Sequence, residues 1–164
     1  GFMVNSQKHI DNNKGWLYII DSKTNTYMEV MKMITYKNYK IVAKLQGAWG
    51  DSKPRNKYFV YVTNTENGEK TCFTFWDSLC NTESGVVLDG DELLTAFYFF
   101  VSDAMAGAES FHDFCSDFGY NEDSRNAERI YKACKRSYNS FVRVSGLDDS
   151  DMYDFANELQ EIAG

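Results

Sequence analysis

The sequence predicts an α+β fold, β-rich in its first half and helical in its second. Three observations carry this. Up to Trp76 the apolar residues alternate or cluster in short β-branched and aromatic runs, and beyond Trp76 their spacing becomes helical. An Asn67-Gly68 pair separates the two most strand-like runs, residues 58–63 and 70–76, and such a pair supplies the positive φ angles of a tight hairpin turn. The second half holds apolar stripes bracketed by capping residues.

Taken in order, residues 1–14 are polar and predict a frayed arm. Residues 16–20 (Trp-Leu-Tyr-Ile-Ile) read as a short strand, and 21–25 as a turn cluster. Residues 27–34 fit two patterns: Met28 and Met31 suit a helix, and Val30 and Ile34 tolerate a strand. Residues 39–45 alternate and read as a strand, and 47–56 read as a loop carrying Trp49 and Pro54. With the 58–63 and 70–76 hairpin this makes a three-stranded antiparallel meander, plus the short N-terminal strand. Residues 77–90 are a polar connection.

The helices follow. Residues 91–105 place Leu93, Leu94, Phe97, Phe100 and Val101 on one face, start near Asp89 or Asp91 and end at Gly107. Residues 110–118 put Phe111, Phe114, Cys115 and Phe118 on one stripe, with Gly119 where a left-handed cap belongs. Asp123 or Ser124 starts a long helix to about Val142, with Ala127, Ile130, Tyr131, Cys134, Tyr138 and Phe141 inward, and Gly146 stops it. Asp148 or Asp149 starts a last helix to Ile162, with Met152, Phe155, Leu159 and Ile162 inward. The expected core is Phe73, Phe75, Phe97, Phe114, Tyr131 and Cys134. The meander packs against about four helices in one domain, residues 15–164, mainly β over 15–76 and mainly α over 77–164.

The chain has 164 residues, 16% of them aromatic and one of them proline. That supports a core without staples and argues against a disordered chain. No run approaches the ~18 apolar residues of a membrane helix. No basic stretch followed by an apolar core opens the sequence, so the expected compartment is a cytoplasm. There Cys72, Cys80, Cys115 and Cys134, which include no Cys-x-x-Cys pair, are reduced thiols.

Charge is segregated. The net charge is −7, yet residues 1–76 hold 11 Lys/Arg against 6 Asp/Glu. Residues 77–123 hold 11 acids and no Lys or Arg; residues 124–146 hold 6 Lys/Arg against Glu128; residues 147–164 hold 6 acids and no base. One reading is a mixed surface, acidic helices beside basic strands. The sharper one is an acidic face that meets a basic partner or mimics nucleic-acid phosphate.

The inventory for catalysis is poor. His9 lies in the polar arm. His112 and Cys115 are three apart on one helix, but a dyad or metal site needs groups converging from separate elements and a third ligand. Asp117, Asn121, Asp123 and Glu128 have calcium-loop-like offsets, but Glu122 stands where that loop needs glycine. No phosphate-binding glycine loop and no nucleophile elbow are present. The sequence therefore calls for no catalytic residues, no cofactor and no metal. Arg125, Arg129, Lys132 and Arg136 are spaced by 4, 3 and 4, one helix face, flanked by Lys135 and Arg143. They suit a solvated surface or a phosphate-binding stripe. Trp16, Trp49, Trp76 and the strand tyrosines suit base stacking on an open sheet face, or core and cross-strand pairs.

Residues 111–135, from Phe111-His112-Asp113-Phe114-Cys115-Ser116-Asp117-Phe118-Gly119-Tyr120 through Asp123-Ser124-Arg125 to Ala133-Cys134-Lys135, resemble the C-terminal motif of small proteins encoded by tailed phages and prophages. The motif runs Phe-Cys-Ser-x-Phe-Gly-Tyr-x-x-Asp-Ser-Arg-x-Ala-Glu-x-x-Tyr-Lys-Ala, and the likeness in layout covers residues 36–145. It brings no catalytic residues with it. What it implies is a phage accessory role in the host cytoplasm, a setting in which inhibitors of host defence, anti-CRISPR proteins included, are common. The resulting expectation is a non-catalytic protein that inhibits a host nuclease or CRISPR effector through an acidic surface of Asp91, Glu92, Asp103, Glu109, Asp148, Asp149 and Asp151. The alternative is a DNA-metabolism accessory protein holding single-stranded nucleic acid on the Arg125, Arg129, Lys132 and Arg136 face.

Overall fold

A computed structural model describes residues 6–11, 16–21, 26–49, 55–77 and 90–163, with side-chain surroundings at 32–46, 57–76 and 90–163. The strands are β1 (Ser6–Asp11), β2 (Trp16–Asp21), β3 (Thr26–Tyr36), β4 (Tyr39–Trp49), β5 (Arg55–Asn64) and β6 (Lys70–Asp77). The helices are α1 (Gly90–Ala108), α2 (Phe111–Phe118), α3 (Arg125–Ser145) and α4 (Asp149–Ala163). The fold is α+β. The strands form one sheet in sequence order, and β1 to β5 pair antiparallel, each with the next. The chain makes two compact units. The first holds β1 to β5, most of β6 and the first turn of α1; the second holds residues 67–71 and the chain from Leu94 onward.

The meander is larger than three strands and one short addition. Four long strands, β3 to β6, are extended by the two short ones. Residues 27–34 are strand, because β3 is paired on both sides: Ile19 faces Met28 and Ile34 faces Ile41. Backbone pairing on two edges outweighs the weak helical spacing of the methionines. The arm holds β1, whose sequence (Ser-Gln-Lys-His-Ile-Asp) has no apolar alternation to announce it. An edge strand needs only backbone partners, which β2 supplies. The expected 47–56 loop is shorter too: β4 runs on through a register shift between Leu45 and Gly47, and β5 begins at Arg55.

In the first unit the pairing of β4 and β5 sets the core. Ile41 lies opposite Val62 and Ala43 opposite Val60, and all four are fully buried. Tyr39 and Asn64 continue that buried row, as does Lys32, 2% exposed and opposite Ala43. The turn after β3 places Lys37 at φ 51, the left-handed region an L side chain enters reluctantly. Asn38 braces it: its side-chain amide donates to Asn64 Oδ1 at 2.9 Å, and its carbonyl accepts from the Thr65 amide at 2.8 Å.

In the second unit the caps expected at Ser124, Asp148, Gly119 and Gly146 hold, and Ser110, expected inside α2, caps it instead. Ser110 accepts from the Asp113 amide and Ser124 from the Ala127 amide. Asp148 Oδ1 accepts from the Asp151 amide, and Gly119 and Gly146 take left-handed φ of 72° and 68°. The core is aromatic: Phe141 packs edge-on to Phe97 and Phe100 and stacks on Phe155, with centroids 5.9–6.2 Å apart. A second cluster joins Phe114, Cys115, Ala127 and Cys134, with Phe111, Ile130 and Tyr131 packed against it. Of the expected core, Phe97, Phe114 and Cys134 are buried, and Phe73, Phe75 and Tyr131 only partly. Phe118 and Ile162, expected inward, are about half exposed at 55% and 49%. Each sits in the last turn of its helix.

Two contacts were not visible in the sequence pattern. Gly107 lies in the last turn of α1, one residue before its end, and a Cβ there would sit 2.2 Å from the Cys134 carbonyl oxygen of α3. The glycine is a packing requirement. The hairpin tip also docks on α3. Asn67 donates to the Val144 carbonyl at 3.0 Å, and Thr71 hydrogen-bonds Ser140. Arg143 clamps Glu69 at 2.6 Å and the Lys70 carbonyl at 2.8 Å.

Phe114 is 2% exposed and rings with Phe118, Tyr120 and Tyr131. Phe114→Ala is expected to lower stability by ~3–5 kcal/mol, read as a shift of the urea midpoint; an unchanged midpoint contradicts the assignment. Gly107→Ala forces α1 away from the α3 backbone and is expected to cost ~1–3 kcal/mol, although alanine is the better helix former. A gain in melting temperature would show that the close approach is not required.

Candidate functional site

The second unit carries two charged surfaces, one at the α1–α2 corner and one on α3. The acidic one begins at the α1–α2 corner. Ser110 caps α2 and turns the chain so that Glu109, just after α1, meets Asp113 and Asp117, one turn apart on α2. Burial raises the Glu109 pKa first. The Asp117 carboxylate raises it further by charge and by hydrogen bonding, and the Asp113 charge adds to this. Glu109 Oε2 is buried without a hydrogen-bond partner. Two carboxyl groups this close share a proton more readily than they both ionise. Glu109 also lines a cleft of about 230 Å³ with Tyr98, Ser102, Phe118, Asn157 and Gln160.

The other predicted acids fall in separate settings. Asp103 is exposed on α1, yet the protein around it raises its pKa by desolvation. Asp148 caps α4, and Asp149 accepts from the Tyr138 hydroxyl at 2.8 Å, so both serve the fold. Asp151 is exposed in the same turn. Asp91 and Glu92 lie in the first unit, in the opening turn of α1. Asp113 and Asp117 were missed. Their signal was a one-turn spacing off the Phe111–Phe114 stripe, but only the Ser110 corner brings them to Glu109.

The basic residues share one exposed face of α3 as their spacing predicts: Arg125, Arg129, Lys132 and Arg136 are all exposed. Part of that charge is committed within the helix. Lys132 pairs with Glu128 at 2.7 Å, and Arg129 donates to Asn126 at 2.8 Å.

The groups considered for catalysis do not converge. His112 Nδ1 meets Glu122 at the surface, and Cys115 is buried at 1% exposure. Asn121 accepts from the Asp123 amide, and Glu128 is taken by Lys132. Among the described residues no three His, Cys, Asp or Glu side chains are placed to hold a metal. Cys72, Cys115 and Cys134 are free thiols, and Cys80 lies outside the described residues. Burial, then the Asp103 charge, pushes the Cys134 thiol up to about 11; burial and the Glu122 charge raise Cys115, and burial raises Cys72. These shifts run opposite to the activation of a nucleophilic cysteine. No helix among the described residues is long and apolar enough to cross a membrane. No family model, curated protein or solved structure matches the chain.

A raised carboxyl pKa has a defined effect on stability. Glu109 favours its neutral form in the fold, so its contribution is fully present below the unfolded carboxyl pKa of ~4.3 and is lost as pH rises through the higher folded value. Glu109→Gln is therefore expected to raise the melting temperature at pH 7 and to leave it nearly unchanged at pH 4. A loss of stability at pH 7 would mean that the ionised carboxylate has a favourable partner.

Proposed function

We propose that this chain is a phage-encoded, non-catalytic binding protein. It acts in the cytoplasm of a bacterial host and inhibits a nucleic-acid-binding defence protein, a nuclease or CRISPR effector, through the acidic surface of its helical unit. The observation that carries this reading is the Glu109, Asp113 and Asp117 group. Burial, and then the charges of Asp117 and Asp113, raise the Glu109 pKa. Such crowding destabilises an isolated fold, and a basic partner surface relieves it. Asp103 and Asp151 extend the acidic character on exposed positions of the same unit. The 77–123 stretch without a basic residue and the phage-like 111–135 motif point the same way. Electrostatic complementarity of this kind speeds encounter and selects the partner more than it adds affinity.

The second reading, single-stranded nucleic acid on α3, is supported by the common exposed face of Arg125, Arg129, Lys132 and Arg136. The Glu128 contact weakens it, since the Lys132 charge is answered within the helix.

The test is affinity capture from infected host cells, then binding kinetics with the purified partner. Reversing Asp103, Asp117 and Asp151 to Lys leaves the Asp148 cap intact. It is expected to slow association at least ~10-fold at low salt, with the difference shrinking as salt rises. Reversing Arg125, Arg129, Lys132 and Arg136 to Glu is expected to leave that association rate within about 2-fold. Loss of binding in the second variant and retention in the first would reject the acidic reading.

A further inference from the structure

The sheet has a second face that neither reading uses. The β4–β5 register that buries Ile41, Ala43, Val60 and Val62 sends the alternate residues outward. Val42 lies opposite Tyr61, Lys44 opposite Phe59 and Lys40 opposite Thr63. The neighbouring strand joins this face: Cys72 hydrogen-bonds the Tyr61 side chain, and Lys57 reaches Trp76. Cys72, Thr74 and Trp76 are all exposed along β6.

The composition of this face is selective. Lys40 and Lys44 are exposed, and Lys57 is partly so. Tyr61, on an internal strand, and Trp76, on the edge strand β6, are 40% and 43% exposed, a notable exposure for rings of this size. The Lys57 ammonium lies 5.8 Å from the Phe59 ring centre and 5.4 Å from that of Trp76. Among the residues with described side-chain surroundings that this alternation sends outward on β4 to β6, none is acidic. Residues two apart on a strand stand about 6.6 Å apart, and neighbouring strands about 4.8 Å. Phe59, Tyr61 and Trp76 therefore share one face with three lysines: Lys57 over the Phe59 and Trp76 rings, and Lys40 and Lys44 on the neighbouring strand.

We propose that this face of β4, β5 and β6 is a binding platform for single-stranded nucleic acid, with bases stacking on Trp76, Tyr61 and Phe59 and phosphates held by Lys40, Lys44 and Lys57. Two properties fit this occupant together. Every base has an apolar π-face that stacks on an aromatic ring whatever its sequence, and the linking phosphates need cations at the margins. A double helix presents its bases only edge-on, so it cannot use the rings. An apolar protein partner would account for the rings but would leave three lysines to be desolvated. The platform lies wholly in the first unit and does not depend on the acidic surface of the second.

The test titrates the full chain into fluorescein-labelled 12-nucleotide oligo(dT) and oligo(U), read by anisotropy at 50–200 mM salt, with an unlabelled duplex as competitor. Both oligomers are expected to bind, and the duplex to compete at least ~10-fold less well. Stronger binding of oligo(U) would assign RNA, and of oligo(dT) DNA. Trp76→Ala and Tyr61→Ala are each expected to weaken binding between ~5- and ~150-fold, while Trp76→Phe, which keeps a ring, restores most of it. Lys40→Glu, Lys44→Glu and Lys57→Glu together are expected to flatten the salt dependence by a slope of about 2, at ~0.7 per lost single-strand phosphate contact. Thermal melts confirm that each variant is folded. The proposal is overturned if neither oligomer binds at 50 mM salt, if the duplex competes equally, or if folded Trp76→Ala and Tyr61→Ala bind as well as the wild type. It is also overturned if binding is lost instead on reversing Arg125, Arg129, Lys132 and Arg136, which would place the nucleic acid on α3. Reversing Asp103, Asp117 and Asp151 is expected to leave oligonucleotide affinity no weaker, so failure of the acidic reading and failure of the platform give different results.

Discussion

The register between β4 and β5 is the constraint on which most of the first unit depends. Side chains on paired strands alternate between two faces, and a slip of one residue exchanges every inward group for an outward one. Here the rung that pairs Ile41 with Val62 commits Ala43 and Val60 to the interior. The same rung commits Lys44, Phe59 and Tyr61 to the opposite side. Burial of four small or branched apolar residues outweighs the exposure of two aromatic rings, because a slipped register would bury Lys40 and Lys44 in their place. Solvent-facing aromatics are thus a direct product of the pairing that forms the core.

Much of the second half was legible in the sequence because its helices are marked by local chemistry. Ser124, Asp148, Gly119 and Gly146 act within one turn of their own position, so a linear reading reaches them. β3 and β1 were less legible. Their structure rests on partners distant in sequence, and residues 27–34 carry no local feature that separates strand from helix. The packing role of Gly107 was hidden for the same reason. Its role comes from the Cys134 carbonyl, on a different helix.

The functional surfaces divide along the same line. The α3 stripe follows from helical spacing alone, and all four residues lie where that spacing puts them. The Glu109, Asp113 and Asp117 group needs a helix end, a capped corner and the first turns of another helix. The sheet face needs the pairing register, which the amino-acid pattern of one strand does not contain. Segregation of charge along the chain was plain from the outset, but it became informative only once acids and lysines were assigned to surfaces. The acids of the helical unit and the lysines of the sheet belong to different compact units, and a basic protein and a polyanion are ligands of opposite character.

The hairpin tip gives the chain an order of events. Residues 67–71 belong to the helical unit, although the sequence on both sides of them belongs to the other. Asn67, Glu69, Lys70 and Thr71 wait for Ser140, Arg143 and Val144, 69 to 77 positions further on. Contacts of such long separation form slowly, since the intervening chain must be closed into a loop first. During synthesis the hairpin leaves the ribosome several seconds before its anchor on α3, at about 5–20 residues per second. A fragment beginning at Leu94 would carry all of the anchor and none of the tip. The Val144 carbonyl and Arg143 would then be left facing water, and the two units cannot be parted cleanly by any single cut in the chain.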